Sequence, residues 1–323
     1  MKTELLIAGL AAFVLSIILG PIVLPILRKL KAGQTVRDDG PEAHLKKTGT
    51  PTMGAFIYLI AAMAVLCFFV KKTEGTLCLM LLTLGFAIIG FIDDFIKVVL
   101  KRSLGLKAWQ KMALQILVSV LFALYVNLQV PGGFDAYIPF AGNKMVNFGW
   151  FNIPLCVFIL VGTANGSNFT DGVDGLESTV TASIMTFFLA AAIGMGNNIA
   201  VVPAVFIGAL MGFLMFNVNK ALVFMGDTGS LALGGLVAGL AYVLHLELYL
   251  PFIALIYFAE VLSVIIQVLY FKATHGKRIF RMAPIHHHFE LGGWTEAKVV
   301  CVFSAITLVM GALMLIFVPT IKF

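Results

Sequence analysis

Residues 76–97 read TLCLMLLTLGFAIIGFIDDFIK, seventeen uncharged residues that run into Asp93 and Asp94 and close on Lys97. An apolar run of that length matches the thickness of a bilayer core, whereas a soluble core helix is usually shorter and amphipathic. Acids at the end of such a run are costly beside lipid, which makes them functional suspects. Similar runs recur near residues 4–27, 53–70, 110–128, 150–164, 177–194, 199–216, 230–246, 249–271 and 297–319. The 323 residues are 60% hydrophobic and 12% charged, and their mean hydropathy is +1.02. The chain therefore reads as an all-α polytopic integral membrane protein, one domain over residues 1–323, with about ten transmembrane helices. The fifth run is short, so nine helices plus a re-entrant segment is the alternative.

The first run is too long for a signal-peptide core and is followed by Arg28, Lys29 and Lys31, which predicts an uncleaved helix. With the N-terminus outside, 17 of the 22 Lys and Arg residues fall in inner loops, and only Lys2, Lys71, Lys72, Lys144 and Lys322 fall outside. The positive-inside rule then predicts that both termini are external. The net charge of +6 belongs to the cytoplasmic face, where it suits anionic lipid and phosphorylated ligands. No feature asks for nucleic acid. Cys67, Cys78, Cys156 and Cys301 lie in apolar runs without Cys-x-x-Cys spacing and read as small core residues. The segment Gln129–Gly149 reads as a small external β-hairpin, built on Tyr137–Phe140 and Lys144–Phe148.

Chemistry gathers in the inner loops. Asp93 and Lys97 share a helix face at i, i+4, with Asp94 one step round. Two acids and a lysine one turn away suit a Mg²⁺ ion and a phosphate oxygen, though the same pattern also marks an interfacial helix end. The next inner loop, 165–177, reads NGSNFTDGVDGLE and alternates Gly with Asp and Asn. That composition suits close approach of backbone to a ligand, or a plain loop with Asp174 capping the following helix. In 216–230, FNVNKALVFMGDTGS, Gly226 and Gly229 bracket Asp227 just before an apolar helix, whose N-terminus can face an anion. A simple N-cap is the other reading of Asp227. The last inner loop carries Pro284-Ile285-His286-His287-His288. Consecutive histidines diverge and no Cys or His-x₃-His partner accompanies them, so hydrogen bonding to phosphate or sugar fits better than zinc.

Taken together, these loops predict a doubly anionic, metal-bound substrate. A pyrophosphate nucleotide meeting a lipid phosphate at the membrane surface, with phosphoryl transfer between them, uses every cluster. A secondary transporter is the rival from another class, and it places its acids near the bilayer midplane, whereas these sit at helix ends. A purely structural scaffold leaves four polar clusters without a task.

From His44-Leu45-Lys46-Lys47-Thr48-Gly49-Thr50-Pro51-Thr52-Met53-Gly54 to Pro284–Glu290, the chain resembles the phospho-N-acetylmuramoyl-pentapeptide transferase family, within the polyprenyl-phosphate N-acetylhexosamine-1-phosphate transferases. The Asp-Asp pair, Asn-x-x-Asn-x-x-Asp and Gly-Asp-x-Gly-Ser resemble the wider superfamily, and the His trio resembles the muramoyl-pentapeptide branch. The resemblance implies Mg²⁺-dependent transfer of phospho-MurNAc-pentapeptide from UDP-MurNAc-pentapeptide to undecaprenyl phosphate, giving lipid I and UMP. It also implies ten helices with external termini, a multi-pass place in the bacterial inner membrane and a homodimer. By motif, Asp227 would bind Mg²⁺, Asp93 would be base or nucleophile, and Asp94 a metal-site or positioning acid. Asn168, Asp171, Asp174, Gly175, Leu176, Asn217 and Phe224 would hold the nucleotide. Lys47, Lys97 and Lys111 would meet phosphates, and His286, His287 and His288 the sugar phosphate. Thr163–Ser167 and Asn219-Lys220-Ala221 depart from the commoner family forms and replace no proposed catalytic residue. A sister transferase moving GlcNAc-1-phosphate is the neighbouring alternative.

Overall fold

The computed structural model describes residues 2–30, 49–69, 75–100, 105–130, 132–218 and 220–319. Among them run helices α1 (Lys2–Lys29), α2 (Ala55–Cys67), α3 (Thr76–Val98), α4 (Ala108–Gln129), α5 (Asn152–Thr170), α6 (Leu176–Gly194), α7 (Val201–Asn217), α8 (Asp227–Val243), α9 (Leu255–Ala273), α10 (Ile285–Glu290) and α11 (Glu296–Leu315). Strands β1 (Asp135–Tyr137) and β2 (Met145–Asn147) pair antiparallel between α4 and α5. Eight helices, α1, α3 to α7, α9 and α11, are long and apolar enough to cross a membrane, and α2 and α8 are shorter apolar helices. In such segments the backbone satisfies its own polar groups, which is why uninterrupted helices suit lipid.

At the centre stands α8, buried from Thr228 to Tyr242. Its residues are small at Gly229, Ala232, Gly234, Gly235, Ala238 and Gly239, and α3 and α5 pack directly on its backbone. A Cβ at Gly234 would lie 2.5 Å from Cα of Ala164 on α5, and one at Gly235 would lie 2.7 Å from the Phe86 ring of α3. Small residues are the usual means of bringing helices together where no hydrophobic drive separates them from lipid. By contrast α1 turns Leu6, Ile7, Leu10, Val14, Ile18 and Ile22 outward, the face expected of a helix surrounded by acyl chains.

Two of the differences from the sequence reading shape the fifth helix and the hairpin. The fifth helix does not stop near residue 164 but continues through Asn165–Thr170, because the polar side chains there find partners inside the bundle. Asn165 donates to Gln115 Oε1 at 2.8 Å, and Thr170 donates to the Gly166 carbonyl at 2.8 Å. The hairpin is present but shorter and shifted: Ala136 pairs with Val146, and the segment between the strands holds Pro139, with Phe140 at φ 66°. Proline cannot extend the ladder, and a left-handed residue turns the chain out of it. Tyr137 N–H donates to the His245 carbonyl at 2.9 Å, which ties the hairpin to the far end of α8 from the acids.

Candidate active site

The ends of α3, α4, α5 and α8 converge on one carboxylate. Asp227 opens α8, and its Oδ2 accepts from Lys111 Nζ at 2.7 Å and Lys97 Nζ at 3.1 Å. Its Oδ1 accepts from Asn168 Nδ2 at 3.0 Å, and the same amide donates to Ser230 Oγ at 2.8 Å. Asp93 completes the group: its Oδ2 lies 2.5 Å from Lys97 Nζ, and its Oδ1 accepts from the Leu106 backbone N–H at 2.7 Å. Lys97 thus bridges an acid one helical turn back and an acid 130 residues on.

Asp94 faces the other way. Its Oδ1 accepts from the Asp227 N–H at 3.2 Å, and its Oδ2 accepts from the Thr228 N–H at 2.9 Å and the Thr228 hydroxyl at 2.6 Å. It caps the N-terminus of α8 from a different helix, doing for that end what a local Ser or Asp usually does. The approach needs Gly90, where a Cβ would stand 2.0 Å from the Asp227 carbonyl oxygen. Asp93 and Asp94 are each only 3% exposed, so both need the partners they have.

Around this centre the other predicted residues take varied places. Asp171 is half-buried and accepts from the Gly226 N–H. Burial holds its carboxyl well above the usual carboxylate range, and the charges of Glu177, Asp227 and Asp94 push the same way. Asp174 Oδ2 accepts from the Ala221 N–H at 3.0 Å, so it secures the loop after α7. Asn217 is buried and donates to the Val223 carbonyl at 3.0 Å, while Phe224, half-buried, ties its backbone to Pro51 and Gly54. Gly175 starts α6 at φ 77°, and Leu176 is wholly buried. On α10, His286 is buried, His287 Nδ1 lies 2.8 Å from Glu290 Oε2, and His288 Nδ1 accepts from the Arg281 N–H at 3.1 Å. Lys47 lies outside the described residues.

Ser230, legible in the sequence only as a possible cap of α8, and several residues not singled out there also take part. Ser230 joins Asn168, and Ser167 Oγ sits 2.5 Å from both Glu177 Oε1 and the Ser230 carbonyl. Glu177 Oε1 also accepts from Tyr257 at 2.7 Å and Thr181 at 2.8 Å, forming a buried polar belt behind the site. Glu260 is a buried acid inside the apolar run of α9. Its position within such a run was the available signal.

One carboxylate oxygen from each of Asp93, Asp94 and Asp227 lies within 4.8 Å of the others. Three hard oxygens that close together suit a small divalent cation such as Mg²⁺. Both oxygens of Asp94 are taken up by backbone and hydroxyl donors at the start of α8, whereas Asp93 and Asp227 face the lysines. Beside them, Lys97 and Lys111 bring two ammonium groups to a point where a phosphate can be met.

A bundle with eight membrane-length helices and an acid–lysine site at their ends defines a polytopic membrane transferase, and residues 76–245, which include every acid of that site, match the glycosyl transferase family 4 model. A phospho-N-acetylmuramoyl-pentapeptide-transferase of Clostridioides difficile (strain 630) is 49% identical over 310 residues, covering 95% of this chain and 96% of its own. One of Acetivibrio thermocellus is 50% identical over 302 residues, covering 93% and 91%, and one of Clostridium botulinum (strain Eklund 17B / Type B) is 47% identical over 312 residues, covering 96% and 95%. The chain belongs to the phospho-N-acetylmuramoyl-pentapeptide transferase family.

Proposed function

We propose that this enzyme transfers phospho-MurNAc-pentapeptide from UDP-MurNAc-pentapeptide to undecaprenyl phosphate, in a Mg²⁺-dependent reaction that yields lipid I and UMP. The observation that supports it is the convergence of Lys97, Lys111 and Asn168 on Asp227 with Asp93 alongside. It places anion-binding and cation-binding groups within one reach, as a pyrophosphate requires. Asp227 would hold Mg²⁺, with Asp93 beside it free for the chemistry, and the ion when bound supplies charge neutralisation at the pyrophosphate.

The remaining work falls to the chain's own residues. Lys97 and Lys111 bind phosphate oxygens, and Asp93 orients the lipid phosphate or takes its proton. A phosphate monoester has its second pKa at about 6, so the acceptor is already largely ionised at neutral pH. Direct attack therefore suffices: the lipid phosphate oxygen bonds to the sugar-linked phosphorus as the bond to the UMP oxygen breaks. Asn168, Asp171 and Asp174 line the nucleotide's side, with Gly175, Leu176, Asn217 and Phe224 shaping the place of the uracil. His287 and His288 turn to the sugar phosphate. In the membrane, all ten apolar helices cross, both termini lie outside the bacterial inner membrane, and the site faces the cytoplasm. Two copies associate as a homodimer.

The test supplies purified protein with UDP-MurNAc-pentapeptide, undecaprenyl phosphate and Mg²⁺, and measures UMP and lipid product, with UDP-GlcNAc as the control donor. UMP and lipid I from the muramoyl donor alone are expected. No UMP, or preference for UDP-GlcNAc, overturns the assignment. Trapping a phosphoryl group on Asp93 overturns direct attack.

A further inference from the structure

Glu260 is the one charged residue of α9 before Lys272. Its side chain is fully buried, and among the described residues neither carboxylate oxygen has a hydrogen-bond partner. His286 Nδ1 lies 3.1 Å from its Oε1. His286 is 1% exposed, and both its ring nitrogens likewise lack an aligned hydrogen bond among the described residues. A buried carboxylate and a buried imidazole with no other hydrogen-bond partner among the described residues are each costly without a shared proton. The distance is within hydrogen-bond reach, and a small rotation of either side chain aligns them.

The opposite edge of the same ring touches the site. A Cβ at Gly172 would stand 2.3 Å from His286 Nε2, so only glycine lets the ring approach this turn. Gly172 follows Asp171, whose backbone and carboxylate are tied to α5 and to Gly226. His286 is thereby gripped between α9 and the turn that neighbours Asp227.

We propose that Glu260 is a positioning residue for His286: Oε1 accepts the Nδ1 proton, fixes the ring, and leaves Nε2 directed at the Asp171–Gly172 turn. The hydrogen bond made by one ring nitrogen sets the state and direction of the other. The arrangement holds for neutral imidazole and for imidazolium, because Nδ1 carries a proton in both. Its effect on turnover rests on the reading of this end of the bundle as the transfer site. The place of the proton does not.

Two measurements test it. ¹⁵N NMR of the full-length protein with labelled histidine, His286 assigned through His286→Gln, reads the Nδ1 proton directly. Nδ1 protonated in the unaltered protein is expected, and an unprotonated Nδ1, with the proton on Glu260, overturns the proposal without any Glu260 variant having to fold. Turnover of Glu260→Gln, His286→Gln and the double variant then reads the coupling. Glu260→Gln should lose roughly ten- to a hundredfold in UMP release, the range typical of groups that orient another group's ligand atom, and the double variant should be no slower than His286→Gln. Additive losses overturn the positioning role. If the unaltered protein forms no UMP while Nδ1 is protonated, the transferase reading fails and the Glu260–His286 pairing stands.

Discussion

Asp94 and Asp227 are 133 residues apart, yet the carboxylate of the first accepts the backbone N–H of the second at 3.2 Å and holds Thr228 through two shorter bonds. The acid pair of α3 is thus divided in labour: Asp93 looks into the site, and Asp94 holds up the helix that delivers Asp227. Asp94→Ala leaves three donors at the start of α8 without their acceptor, and about 1–3 kcal/mol of stability should go with them. Thermal unfolding in detergent measures the loss. Asp94→Asn, which keeps one acceptor oxygen, should fall between the two proteins, and equal stability of all three sinks the capping role.

Asp227→Asn and Asp93→Asn should both lower turnover, on the order of 10²–10³-fold. They should differ in metal affinity. Asp227→Asn weakens Mg²⁺ binding, whereas Asp93→Asn leaves it largely intact. Titration with Mn²⁺ followed by electron paramagnetic resonance distinguishes them, and equal losses of affinity merge the two roles.

Gly90→Ala introduces a methyl group 2.0 Å from the Asp227 carbonyl oxygen. Neither backbone yields easily in a packed bundle, so about 1–3 kcal/mol of destabilisation is expected together with a loss of activity. Wild-type turnover and melting temperature in this variant contradict the close approach of α3 and α8.

At the opposite end of the bundle, Glu247 is 1% exposed, and burial raises its carboxyl from the usual 4.5 to about 8. Between those values the folded protein holds a proton that the unfolded chain has released. Stability from this group is therefore complete below about pH 4.5 and declines as pH rises through 8, by up to about 1.4 kcal/mol per pH unit. Glu247→Gln carries no such proton. Melting temperatures measured from pH 5 to pH 9 should show the variant gaining on the parent as pH rises, and parallel curves exclude the effect.

The helices were legible because each apolar run declares itself locally, and so were the acids at their ends. Asn165, Ser167 and Asn168 were misread as loop because their partners, Gln115, Glu177, Ser230 and Asp227, lie on other helices and leave no trace in local composition. Lys111 and Asp227 were each visible as candidates. That they touch, across 116 residues, is a property of the packing alone. The division between Asp93 and Asp94 was equally hidden, since neighbouring residues on a helix point about 100° apart and only the surrounding helices decide what each one meets.

The glycines and alanines of α8 extend this dependence well beyond the acids. Gly239 stands twelve residues from Asp227, about 18 Å along the axis at 1.5 Å per residue, and its missing side chain makes room for Leu82 and Leu79 of α3. Where α8 meets its neighbours through glycine, it has no side chain of its own to give way, so a group added there pushes on the packed backbone itself. Substitutions deep in the apolar interior, far from every polar group of the site, should therefore behave as catalytic lesions, and the catalytic acid inherits its tolerance for change from the plainest residues in the chain.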